Sequence, residues 1–439
     1  MPLCCGHAAV TVHVIHAFKP IIMIIQRNSY LQQLIDGREN GLVKIVTGIR
    51  RCGKSFLLFR LFVEHLRSEG VADDHIIRVA LDDVTAAPLR DALALYEHIR
   101  SQMTGNGLYF ILLDEVQLVP RFEEVLNSLL RLENADVYVT GSNSRFLSSD
   151  IITEFRGRGD EIRVFPLSFA EFCQVTPLPQ DEAWAEYYTF GGLPHVLSLT
   201  TETKKINYLQ QLVESVYLRD VTERHRVRNP QELAELLRIV ASSIGAPCNP
   251  TKLSHTFQSV KHVTVSPSTL NNYLGYLQNA FLLEKSMRYD IKGKRYINNL
   301  AKYYFTDLGL RNALLGMRQQ EETHIMENVL YNELRRRGCC VDVGVVEKRT
   351  MAEDKRMLRQ QLEVDFVVNY GSHRCYIQSA LMLPDADKRQ QEMASLIGIR
   401  DSFSKMIVVK GRMRPWTDVH GVLTIGLFDF LLDERSHLR

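Results

Sequence analysis

Gly48, Gly53, Lys54 and Ser55 stand in the spacing G-x-x-x-x-G-K-S within GLVKIVTGIRRCGKSFLLFRLF, residues 41–62. Each residue type has a use around a polyphosphate. The glycines let backbone N–H groups curl around phosphate oxygens, at a helix start whose free amides already favour anions. An ammonium at Lys54 neutralises the outer phosphate oxygens, and the Ser55 hydroxyl is a ligand for Mg²⁺. A second set follows in YFILLDEVQLVP, residues 109–120, where Asp114 and Glu115 are adjacent. Asp114 is placed to hold Mg²⁺ through water, and Glu115 to polarise the water that attacks a terminal phosphate. The two sets together point to ATP with Mg²⁺ as the ligand.

Those side chains need particular elements beneath them. LVKIVT is a β-branched run suited to a buried parallel strand, and SFLLFRLFVEHLRSEG has helical spacing with a glycine stop at Gly70. Strand, glycine loop and helix are the setting that a phosphate loop requires. The loop takes in Gly48, Ile49, Arg50, Arg51, Cys52, Gly53, Lys54, Ser55 and Phe56. Arg50 and Arg51 add positive charge or face a partner. Cys52 is expected to flank the nucleotide, so that its alkylation would block binding. YFILLD ends in its carboxylates at the C-terminal edge of a strand, where parallel sheets bind ligands. DVYVTGSN, residues 136–143, reads as a third strand, with Thr140, Ser142 and Asn143 positioned to reach between the two sets and orient the water. Arg156 and Arg158 precede a further strand. Arg158, or else Arg156, is placed to stabilise γ-phosphate charge in a neighbouring subunit, which implies a homo-oligomer; two surface arginines are the other reading.

The chain has 439 residues, 45% hydrophobic and 24% charged, with a formal net charge of +2. These values fit two or three globular domains, each with its own core. The cysteines at 4, 5, 52, 173, 248, 339, 340 and 375 show no metal spacing, and their pattern fits reduced thiols in a cytoplasmic protein. No apolar run is long enough to span a membrane. Residues 1–22, MPLCCGHAAVTVHVIHAFKPII, carry three histidines and a lysine without a basic start, so they do not read as a signal peptide. A dispensable extension is expected there, ahead of a domain that starts at Met23.

Beyond residue 200 the pattern changes. QELAELLRIVASSIG, TKLSHTF and SPSTLNNYLGYLQNAFLL read as three helices, and EKSMRYDIKGKRYINNLAKYYFTD alternates like a hairpin around Lys292, Gly293 and Lys294. Three helices and a basic hairpin suggest a winged helix-turn-helix. Residues 213–315 hold 14 Lys and Arg against 8 Asp and Glu, an excess that favours double-stranded DNA as a partner, with a lid or protein contact as the alternative. Further on, Glu327, Asp365 and Gln378 have the order and spacing of a restriction-endonuclease-like core, where carboxylates hold a metal for phosphodiester cleavage. The lysine such a core needs two residues after its third ligand is absent, since position 380 is alanine. Nuclease activity is therefore disfavoured.

Further segments join these in order: TGIRRCGKS, LLDEVQ, VTGSNS, FPLSFAEF, FGGLP, YLRDV, YFTDLGLRNALLG, EVDFVV, YIQSAL and TIGLFDFL. On them the chain from 23 to about 435 resembles the prokaryotic AAA-like ATPases that carry a C-terminal domain of unknown function. The resemblance implies nucleotide binding and says less about purpose. The expected architecture is an α/β P-loop NTPase domain of AAA-like type at 23–200, its parallel sheet covered by helices on both faces. A helical, winged-helix domain at 201–316 and a small α/β restriction-endonuclease-like domain at 317–439 follow. The expected activity is ATP hydrolysis coupled to DNA or protein binding, catalysed through Lys54, Glu115 and Arg158. A nucleotide-gated switch with little turnover and a metal-dependent nuclease are the alternatives.

Overall fold

Five short strands, four of them apolar, make the first layer. β1 (Val43–Thr47), β2 (Ile76–Ala80), β3 (Tyr109–Asp114), β4 (Ala135–Thr140) and β5 (Gly159–Arg163) form a parallel sheet in the order β2-β3-β4-β1-β5. The computed structural model describes residues 24–141, 157–318, 321–351, 357–383 and 386–433. Alternate residues of each strand enter different cores. Ile45, Val79, Ile111 and Val139 pack on the helices Ala92–Gln102 and Phe122–Leu129. Val46, Phe110, Leu112 and Tyr138 pack on Leu57, Leu61 and Phe62, from the helix that follows the glycine loop. Burial on both faces is why these strands read as continuous apolar runs.

A helical layer follows. One continuous helix runs through Glu202–Leu212, Val213–Leu218 and Arg219–His225, its middle part wound as a wide π turn. The helices Pro230–Ser242, Pro250–Lys261 and Pro267–Asn279 each begin on proline, where a missing N–H costs nothing, and Asn249 and Ser266 cap the last two. The hairpin β6 (Leu283–Asp290) and β7 (Arg295–Phe305) comes next, with Lys292, Gly293 and Lys294 exposed at its turn. Gly293 N–H donates to Asp290 Oδ1 at 2.9 Å and fixes that turn.

The hairpin does not stand free. β6 pairs parallel with β8 (Cys340–Met351), which starts a run through β9 (Met357–Tyr370), β10 (His373–Ala380), β11 (Ser404–Val409), β13 (Val422–Gly426) and the short β12 (Trp416–Thr417). One eight-stranded mixed sheet thus crosses the division expected at residue 316. The physical reason is that a lone two-stranded ribbon is marginal in water, and β8 supplies its third strand.

A short helix, Leu308–Leu314, ties the layers together. Its Asn312 side chain donates to the carbonyls of Tyr188 and Thr189 at 2.8 and 2.9 Å, and Arg311 donates to the carbonyl of Ala241 at 2.9 Å. Both sets of carbonyls lie at the ends of helices that would otherwise leave them unpaired. Asp307 caps the helix through Leu310 N–H (3.1 Å) and accepts from Gly192 N–H (2.8 Å) of the FGGLP segment. Burial pushes the Asp307 carboxyl up to about 6, against the pull of those amide donors. A carboxyl raised in the folded state binds its proton more tightly than in the unfolded chain. Its contribution to stability is therefore complete below about pH 4 and lost as pH rises through 6. Asp307→Asn should consequently fare better against the wild type at pH 7 than at pH 4, in melting temperatures measured across that range; a constant difference would contradict this assignment. Among the described residues no helix is long and apolar enough to cross a membrane.

Candidate nucleotide-binding site

The loop 48–53 leaves β1 through a conformation that demands glycine. Gly48 has φ +138°, and a Cβ there would lie 2.1 Å from the Val164 carbonyl oxygen. Gly53 has φ +101°, which lets the chain turn into the helix at Lys54. Between them Arg51 takes φ 67°, so the loop spends backbone strain to bring its amides together. The buried Lys54 folds over the loop, and its Nζ donates to the carbonyls of Gly48 and Ile49 at 3.0 and 3.1 Å. An ammonium parked on two neutral carbonyls is held lightly enough to turn to a phosphate.

Strand order explains how the other groups meet. β4 lies between β1 and β3, so Thr140 at its end stands between the loop and Asp114. The Thr140 hydroxyl donates to Asp114 Oδ1 and accepts from Glu115 N–H at 3.0 Å. Burial raises the Asp114 carboxyl, while Thr140 and the nearby Ser55 hydroxyl hold it down. A buried carboxylate near a serine hydroxyl suits a Mg²⁺ ion, which takes hard oxygen donors. Glu115 sits in the left-handed region at φ 51°, and Gln117 Nε2 donates to its Oε2.

The remaining expected residues divide. Ile49 is fully buried, Arg51 is exposed, and Phe56 is partly exposed at the start of the helix. The Cys52 thiol turns away from the loop mouth, fully buried with Sγ 3.5 Å from the Val164 carbonyl. The expectation was that its alkylation would block nucleotide binding; close packing leaves this thiol little open to reagents. Arg158 donates to Asn127 Oδ1 at 2.9 Å, beside Gly159, which pairs with Val43 at the start of β1. That edge is opposite the glycine loop, so Arg158 takes no part in its own chain's site. Ser142, Asn143 and Arg156 lie outside the described residues. Glu327, Asp365 and Gln378 do come together: Asp365 N–H points to Gln378 Oε1 at 3.4 Å, and Glu327 lies close enough to raise the Asp365 carboxyl further, after burial.

Three residues of the site have no role assigned from the sequence alone, although Tyr217 and Asp220 lie in the YLRDV segment. The buried Arg27 donates to the carbonyls of Cys52 (3.2 Å) and Phe165 (2.6 Å) and pairs with Glu171 at 3.0 Å. It bolts the back of the loop to the segment after β5. Tyr217 donates to the Arg50 carbonyl at 2.7 Å, and Asp220 pairs with the Arg50 guanidinium at 3.1 Å. The loop crest is therefore clamped by the long helix of the helical layer.

A parallel sheet that delivers a glycine loop, its lysine, a serine and a strand-end aspartate to one edge defines a P-loop nucleotide-binding protein. Residues 40–173 match the AAA domain family, and residues 181–321 match a domain of unknown function. An uncharacterized protein of Haemophilus influenzae is 32% identical over 416 residues, spanning 93% of this chain and 99% of that one. The uncharacterized protein MJ1544 of Methanocaldococcus jannaschii is 27% identical over 412 residues, spanning 90% and 86%. Among solved structures, the Walker-type ATPase of Pyrococcus abyssi is similar over 66% of this chain and 96% of that one, at 18% identity and a TM-score of 0.49. The chain belongs to the family of the Haemophilus influenzae protein, and in it an AAA domain precedes a domain of unknown function.

Proposed function

We propose that the protein binds ATP with Mg²⁺, hydrolyses it, and passes the nucleotide state to a DNA-binding helical layer. The observation that supports this best is the hydrogen-bonded link from Asp114 through the Thr140 hydroxyl to the backbone of Glu115, at the sheet edge that carries the glycine loop. The loop amides and Lys54 hold the β- and γ-phosphates. Ser55 and Asp114 hold the metal, which supplies charge neutralisation on the phosphate oxygens when bound. Glu115 accepts the proton of the attacking water, its backbone fixed by Thr140. Arg158, on the opposite edge of the sheet, serves the site of a neighbouring copy.

Coupling runs through the clamp on Arg50. A phosphate arriving at the loop competes with Asp220 for that guanidinium, and the helix carrying Tyr217 and Asp220 feels the exchange. The same clamp favours a nucleotide-gated switch with rare turnover as the second reading, since it needs binding alone. DNA is the partner suggested by the exposed Lys292, Lys294 and Arg295 at the hairpin turn, where Arg295 stands 3.7 Å from Asp290.

The ATPase rate with and without duplex DNA separates the two readings: stimulation supports coupled turnover, and a rate near zero in both supports the switch. In filter binding across salt concentrations, neutralising Lys292, Lys294 and Arg295 together should weaken affinity for any sequence. It should also flatten the log–log salt slope by up to about 3, since each phosphate contact contributes about 0.9. Superimposable curves for wild type and triple variant would remove the hairpin from DNA contact.

A further inference from the structure

Alanine at position 380 leaves β10 without a lysine beside Asp365, yet a lysine reaches the same carboxylates from another strand. Lys302 of β7 places Nζ 2.8 Å from Glu327 Oε1 and 2.7 Å from Glu363 Oε1. Tyr304, two residues along the same strand, donates to that Glu327 oxygen at 2.6 Å. Asp365 Oδ2 accepts from Ser379 N–H at 2.8 Å, and Arg288 stands 4.0 Å from Glu363. The Lys302–Glu327 pair is enclosed, while Glu363 is 32% exposed. Lys302 and Glu327 side chains are 3% and 7% exposed, and Gly245 covers them: a Cβ there would meet Glu327 Oε2 at 3.1 Å and His324 Nδ1 at 2.8 Å.

Cations of the chain itself already meet these carboxylates. Burial pulls the Lys302 ammonium down, but Glu327, Asp365 and Glu363 outweigh it and hold the group above the ordinary lysine range. Burial and then Glu327 push the Asp365 carboxyl well up. Glu327 and Glu363 face Lys302 and Arg288, His324 Nδ1 lies 3.8 Å from Glu327 Oε2, and Gln378 is neutral. A divalent metal would have to dislodge the Lys302 ammonium, which is tethered to a strand and already bridges Glu327 and Glu363. These donors do not fit a metal.

We infer that the Lys302 ammonium is the resident cation of this carboxylate cluster, filling the place of a divalent metal, so that the C-terminal core is a lysine-bridged pin and not a metal-dependent nuclease. Removing one partner of a closed pair strands the other charge, whereas removing both does not. The test is made on the full chain without nucleotide, in a Lys54→Ala background to silence the loop. Lys302→Met should lower the melting temperature by several degrees or leave the chain unfolded. Lys302→Met with Glu327→Gln should recover most of the loss, because the neutral amide needs no cation. With Lys54→Ala in place and Lys302 intact, the chain should show no Mn²⁺-dependent rise in melting temperature that Asp365→Ala removes, and it should not nick supercoiled plasmid with Mg²⁺ or Mn²⁺. A Lys302→Met chain as stable as the wild type, a double variant no better than the single, or metal-dependent nicking lost in Asp365→Ala would each overturn the inference.

Discussion

Lys54→Ala is expected to lose ATP binding at concentrations that saturate the wild type. The Lys54 ammonium is buried at the loop mouth and donates only to the carbonyls of Gly48 and Ile49, both of which keep strand or loop geometry without it. Turned to the nucleotide, it would make charge-assisted bonds to two phosphate oxygens, worth about 1.5–3 kcal/mol each. Losing both corresponds to a fall in affinity of roughly 100-fold or more. A fluorescent-nucleotide titration, with circular dichroism to confirm folding, makes the measurement. Equal affinities for the two chains would sink the assignment of the loop.

Glu115→Gln should leave that affinity nearly unchanged and slow hydrolysis by roughly 100-fold or more, the usual contribution of a positioned general base. The amide keeps the size of the carboxylate, and the backbone geometry at φ 51° is fixed by Thr140 through the main chain. What changes is the proton acceptor alone. Single-turnover hydrolysis with Mg²⁺ separates this from a binding defect. A variant that turns over at the wild-type rate would show that another group takes the proton.

How much of this was legible depended on sequence separation. Lys54 and Ser55 belong to one contiguous pattern, and Asp114 with Glu115 to another, so composition and strand periodicity were enough to place both. Thr140 was legible because it ends a strand. Arg27 was not: it looks like a surface residue before a helix, and only the packing of β1 against the segment after β5 buries it on the Cys52 and Phe165 carbonyls. Tyr217 sits 167 residues from Arg50, a distance at which no spacing rule operates. Lys302 is similar. Its strand reads as one side of a basic hairpin, and nothing local says that it ends against Glu327 and Glu363. The hairpin itself was readable, but its pairing with β8 was not, because register between distant strands is set by the assembled sheet.

That pairing has a consequence for the growing chain. β6 finds β7 within a few residues, yet its other edge stays open until β8 begins at Cys340, fifty residues after Asp290. At ribosomal rates this is a wait of roughly 3–10 s. For that interval the nascent chain displays an unpaired strand edge, the kind of surface that recruits other strands. Translation stalled between the hairpin and β8 would therefore yield sticky products, and holding that edge during synthesis is a task for a chaperone.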